Sequence, residues 1–195
     1  MKHIIFMAAA SIVFFAACDS NNNQSKTGGD TVQSTEVTTS NAAAATDNQQ
    51  SASPVKEIVS SYLEMKNTLA SDNDKGTAAA GDAMVTAFQK FDKSSLTAEQ
   101  KKTYEDVESD AREHAEHIGK NAGNIKHQRE HFDMLSKDIY ELVKTFGAGR
   151  QLYYDHCPMY NNGKGADWIS ETKEISNPYL GKEMPTCGTV KEELK

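Results

Sequence analysis

Two short sulfur-bearing segments in the last forty or so residues carry the side chains best suited to chemistry: Cys157-Pro158-Met159 and Met184-Pro185-Thr186-Cys187-Gly188. Thiolate and thioether together are the soft ligand set that proteins use for Cu(I) and related ions. His156 stands directly before the first cysteine and adds an imidazole nitrogen. Trp168, the only tryptophan, lies between the segments, where its face would attract a cation or its bulk would anchor the tail. The competing reading is a Cys157–Cys187 disulfide. It would close a loop of about thirty residues and contribute roughly 3–4 kcal/mol in the chain-entropy description. A disulfide leaves Met159 and Met184 unexplained, and both readings stay open on residue chemistry alone.

The histidines form a second constellation. His114 and His117 are spaced i, i+3, and His127 and His131 are spaced i, i+4, so each pair shares one face of a helix. With two helices joined near Asn121 in an antiparallel hairpin, His114 and His127 reach about the same height, and neutral imidazoles so placed can hold a divalent ion. The plainer reading is a polar helix face, since Glu113, Glu116, Arg129 and Glu130 flank these histidines. His156 lies beside the first of the two sulfur segments, Cys157 with Met159 and Met184 with Cys187, which read as halves of one clamp. Methionines 65, 84 and 134 fall at core spacing and read as packing. Cys-x-x-Cys, a Gly-rich phosphate loop, Gly-x-Ser-x-Gly and His-Glu-x-x-His are all absent, so the chain is not expected to be an enzyme.

The elements that must position these groups are helical. Val55, Ile58, Val59, Tyr62, Leu63 and Leu69 recur at helical spacing after Pro54, and Ser71-Asp72-Asn73-Asp74 stops that helix and caps a second over about 74–91. Thr97 and Gln100 make a capping box for a third. A sevenfold apolar series then runs from Tyr104 through Ala111, Ile118, Ile125, Phe132 and Ile139 to Phe146. Gly119, Gly123 and the potential cap Asn124 divide it into helices of about 97–119 and 124–146. The expected fold is all-α, a four-helix up-down bundle spanning residues 54–195 with an irregular segment at 150–195. Short strands are expected there around Leu152 and Trp168, and a metal or disulfide staple to fasten the tail.

The front of the chain reads as targeting. Lys2 and His3, the apolar run Ile4 to Phe15 and the small residues before Cys18 match a lipoprotein signal over residues 1–17, with Cys18 lipidated. Residues 18–53 are rich in Ser, Thr, Asn, Gln and Ala and read as a disordered tether of roughly 30–35 Å. The expected location is the cell envelope, as an outer-membrane-anchored lipoprotein on its periplasmic or surface face, held by lipid alone. Without Lys2 the chain carries 20 basic against 28 acidic residues, a net charge of −8, which argues against nucleic acid.

Four segments together resemble a known family. They are Gln128-Arg129-x-x-Phe132-x-x-Leu135-Ser136, Tyr154-x-x-Cys157-Pro158-Met159, Trp168-Ile169-Ser170, and Ile175-x-Asn177-Pro178-Tyr179-x-Gly181-x-x-Met184-x-x-Cys187-Gly188. The chain is similar over about 55–193 to a bacterial domain family of unassigned function, found in Gram-negative lipoproteins and at the C-terminus of copper/silver efflux adaptor proteins. The Cys-Pro-Met piece also resembles short heavy-metal modules of such adaptors, although Tyr160 stands where those have histidine. The resemblance implies a helical bundle with a metal-linked tail, in which Gln128 and Arg129 orient the tail through its carbonyls. It implies that the four sulfurs of Cys157, Met159, Met184 and Cys187 carry a metal site, with His114, His117 or His156 as completing ligands. The expected function is binding of a soft, Cu(I)-like ion beside a heavy-metal efflux adaptor or pump. The alternative is a disulfide-stapled interaction module without metal.

Overall fold

The computed structural model describes residues 53–195. The segments expected to be a signal peptide, a lipidated Cys18 and a tether, up to residue 52, lie outside the described residues. Ser53, counted with the tether from composition, is instead buried and donates from Oγ to the Gly147 carbonyl at 2.6 Å.

Four helices come first: α1 (Lys56–Ala70), α2 (Asp74–Lys90), α3 (Ala98–Lys120) and α4 (Ile125–Phe146). The N-terminal ends of α2, α3 and α4 are set by side chains that satisfy orphan first-turn amides, whereas α1 starts without a side-chain cap. The Asn73 side chain accepts from the Gly76 amide, and Asn124 accepts from that of His127. Thr97 and Gln100 form the reciprocal capping box, at 3.2 and 3.1 Å. Consecutive helices pack against one another, and Tyr62, Met84, Tyr104, Ile118 and Phe132 fill the space between them with no exposed surface. None of the described helices is long and apolar enough to cross a membrane.

Gly119 does not break a helix. It lies inside α3, where α2 crosses closely: a Cβ on Gly81 would stand 2.8 Å from both the Ala115 carbonyl and the Gly119 amide. The glycine that turns the chain is Gly123, at φ +89°.

The tail is more regular than expected. It forms an antiparallel sheet in the order β2-β1-β3, from β1 (Leu152–Cys157), β2 (Ala166–Ser170) and β3 (Thr189–Leu194). Asp155 pairs with Trp168, Cys157 with Ala166, and Leu152 with Leu194. In place of the expected irregular segment on an all-α bundle, fastened by a metal or disulfide staple, the sheet packs regularly on the helices, with β2 against α1 and α4. The Ile169 amide donates to Tyr62 Oη at 3.1 Å, and that hydroxyl lies 2.8 Å from Ser136 Oγ, which donates to the Phe132 carbonyl at 2.7 Å. Burial raises the Tyr62 phenol well above its usual range, so it stays a neutral hydroxyl. Tyr62→Phe leaves the Ile169 amide without its partner, a cost of about 1–3 kcal/mol. Urea unfolding should show a lower midpoint at unchanged slope; an unchanged midpoint would mean that the amide finds another acceptor.

Candidate functional site

Cys157 ends β1 and is fully buried. Cys187 lies on the turn after the short 3-10 segment Gly181–Glu183 and is partly exposed. Both are free cysteines, and their sulfurs stand 2.9 Å apart. Asn177 holds the Cys187 turn: its side-chain amide donates to the Cys187 carbonyl at 2.7 Å, and its oxygen accepts from the amides of Tyr179 and Leu180. Tyr179 stacks on Tyr160 at 4.6 Å and meets the edge of Trp168 at 5.9 Å. The Cys187 thiol is pushed up by its hydrogen bond to Cys157, by burial and by the like charge of a second thiolate, opposed by the Met159 backbone amide. The pair therefore resists double ionisation and favours a shared proton, a shared bond or a cation between the sulfurs.

Met159 and Met184 are not in the core: they are 58% and 40% exposed. Both touch Cys187 through the backbone, Met159 by its amide and Met184 by its carbonyl, which accepts from the Cys187 amide at 3.2 Å. Met65 and Met84 are fully buried as expected, but Met134 is 39% exposed and is not a packing residue.

His156 does not join the sulfurs. Neighbours on a strand point to opposite faces, so beside inward-facing Cys157 it turns outward, and its Nδ1 lies 2.7 Å from Asp167 Oδ1. Trp168 is completely buried against Tyr179, and a Cβ on Gly188 would meet its ring at 2.8 Å. It is a core anchor of the tail.

The helical histidines gather at the closed end of the α3–α4 hairpin. His114 Nδ1 lies 3.1 Å from His131 Nδ1. The His117 and His131 rings stack at 4.3 Å with 10° between planes, and His127 meets His131 at 4.5 Å. Ligating atoms of His117, His127 and His131 all lie within 4.8 Å of one another. The connection centres one to two residues later than Asn121, which pairs His114 with His131 and His117 with His127 rather than His114 with His127. Burial, then the charges of His117, His127 and His114, pushes His131 down to about 4, and burial also lowers His114, so these rings are neutral near pH 7. No hydrogen bond or ring contact among the described residues joins His114 or His117 to Cys157 or Cys187. The single composite site expected from sequence resolves into two groups, and His127 and His131 belong to the second.

Arg129 performs the role expected of it, donating from Nε to the Pro178 carbonyl at 2.8 Å. Gln128 does not reach the tail. Its amide donates to the carbonyls of Asp74 and Ile118, at 2.9 and 3.2 Å, and ties α4 to α2 and α3. A groove of about 620 Å³ lined by Pro54, Ile58, Ala87 and Phe91 contains none of the candidate ligands.

The family comparison bears on the helices. Residues 58–151 match a family described as a protein of unknown function (DUF3347). The match takes in all four histidines of the hairpin and ends one residue before β1, so the sulfur-bearing tail lies beyond it. The chain matches no curated protein and no solved structure.

Proposed function

We propose that the protein binds a soft, Cu(I)-like ion through Cys157 and Cys187, as a lipid-anchored cell-envelope accessory to heavy-metal efflux or homeostasis. One observation carries this reading. Two free thiols from distant segments converge at 2.9 Å, and the methionines beside them are exposed rather than buried. Exposed large apolar side chains flanking a thiol pair suit thioethers that close over a bound ion. Metal–sulfur bonds of about 2.3 Å hold two thiolates roughly 3.5–4.6 Å apart, so the Cys187 turn would open by about an ångström on loading. Thioethers in place of further thiolates keep the affinity low enough for the ion to be passed on.

The same short separation favours a second reading, a disulfide that staples the tail of an interaction module. Titrating the purified protein with Cu(I) against a chromogenic competitor, with thiols counted in parallel, separates the two. Copper binding predicts titratable thiols at Cys157 and Cys187 and stoichiometric uptake, abolished in Cys157→Ser and weakened about tenfold or more in Met159→Leu. Absence of uptake after gentle reduction overturns it.

A further inference from the structure

We propose that His117, His127 and His131 form a second metal site, an all-nitrogen site for a divalent ion of the zinc class bridging α3 and α4, with His114 as its positioning residue. The three rings present ligating atoms within 4.8 Å of one another. Two nitrogens bound to one tetrahedral ion at about 2.0–2.1 Å stand roughly 3.3 Å apart, so small side-chain rotations close the site. The positions permit such rotations, since the side chains of His117 and His127 are 46% and 33% exposed.

The alternative is a polar face on which water completes what the protein does not. Among the described residues, the polar side-chain contacts of these rings are one another, Glu113 at 3.8 Å from His117 and Glu130 at 3.7 Å from His127. What a polar face does not require is the convergence itself: imidazoles from two helices aim nitrogen lone pairs, when neutral, at one region, which suits a shared cation. His114 acts on His131. With Nδ1 of His131 donating to Nδ1 of His114, the ligating atom of His131 is Nε2, its tautomer and ring plane fixed by the second histidine. Glu113 and Glu130 stand where they can do the same for His117 and His127.

The donor set decides the ion class. Three imidazoles without sulfur or carboxylate ligands select borderline divalent ions, Zn2+ or Cu2+, over Mg2+, Ca2+ and Cu(I). Three protein ligands would leave a fourth position for water or an incoming ligand. The site is thus chemically complementary to the tail thiols and independent of them.

The test is Zn2+ titration of the whole chain against a chromophoric chelator, with Co2+ substitution read by absorption. One Zn2+ per chain is expected, with Co2+ giving visible bands of nitrogen coordination and no thiolate charge-transfer band. Binding should fall more than about 100-fold in His127→Gln and roughly 10–100-fold in His114→Gln, and stay unchanged in the Cys157→Ser/Cys187→Ser variant. Circular dichroism checks that the variants remain helical, and the wild-type Co2+ spectrum decides the ligand type without any variant. Absence of stoichiometric Zn2+ uptake, a thiolate band, or binding lost in the cysteine variant and kept in His127→Gln overturns the proposal. Cu(I) uptake by His127→Gln tests the thiol site separately.

Discussion

Arg129→Met is expected to destabilise the protein by about 2–4 kcal/mol and to loosen the tail before the helices melt. Its guanidinium is only 13% exposed and donates to three acceptors from three segments: the Pro178 carbonyl in the tail, the Leu69 carbonyl at the end of α1 at 3.0 Å, and Asp72 Oδ1 at 2.6 Å. Burial raises the Asp72 carboxyl, but the hydrogen bonds of Arg129 and of the Lys182 amide outweigh this and hold it below its usual range. Methionine fills similar volume but removes the side-chain donor to the Pro178 carbonyl and the charged partner of Asp72, which keeps only the Lys182 amide, while the Leu69 carbonyl keeps the Asp72 amide. Because Asp72 is 35% exposed, water recovers part of the loss, and the expected cost lies below that of a fully buried pair. Arg129→Lys should retain less than half of the stabilisation, since an ammonium cannot span the three acceptors. Urea unfolding followed by helical circular dichroism and by Trp168 fluorescence reads both effects. Coincident curves with a midpoint like that of the wild type would show that Arg129 is not the clasp.

Asp155 should make the protein less stable as the pH rises through neutrality. It sits on β1 with no exposed surface, and neither carboxylate oxygen has a partner among the described residues. Burial pushes its carboxyl up to about 7, opposed only by the charge of Lys66, which is itself paired with Glu171 at 2.9 Å. A folded-state value above the unfolded one means that stability is fully present below about pH 4 and is lost as the pH climbs through 7. A shift of about three units corresponds to roughly 4 kcal/mol between about pH 4 and pH 8. Asp138, pushed up to about 6 by burial and by Asp110 and Glu141, adds a slope of the same sign. The difference between wild type and Asp155→Asn isolates the Asp155 part. The variant should be the more stable protein at pH 8, with the advantage shrinking towards pH 5. Parallel stability profiles would exclude a protonated Asp155.

The helices were legible because their signals are local. Thr97 with Gln100, Asn73 and Asn124 cap where their side chains reach an amide three residues on, which sequence spacing alone shows. The hairpin that gathers the histidines was legible for the same reason, but its register was not, because moving the turn centre by one or two residues exchanges partners across it. β3 was missed because Lys191, Glu192 and Glu193 give no apolar alternation. Its pairing depends on β1 in the middle of the sheet, and Glu192 is held from α4 by Tyr140 and Lys144, at 2.7 and 2.6 Å. His156 was misplaced because its contact with Asp167 arises only when β1 and β2 pair. The sulfurs converge for a similar reason, through the Asn177 turn, whose hydrogen bonds do not follow from composition.

The pairing of Leu152 with Leu194 carries a consequence for how the molecule assembles. The helical hairpins join neighbours in the chain, whereas the sheet closes over a long sequence separation, and loop closure of that kind costs entropy before any contact offsets it. A chain emerging from its N-terminal end can complete the histidine hairpin once residue 131 is available. β1 must wait for residue 194 before its second edge is paired. The two clusters are therefore separated in time as well as in sequence, with the imidazoles gathered while Cys157 still lacks Cys187.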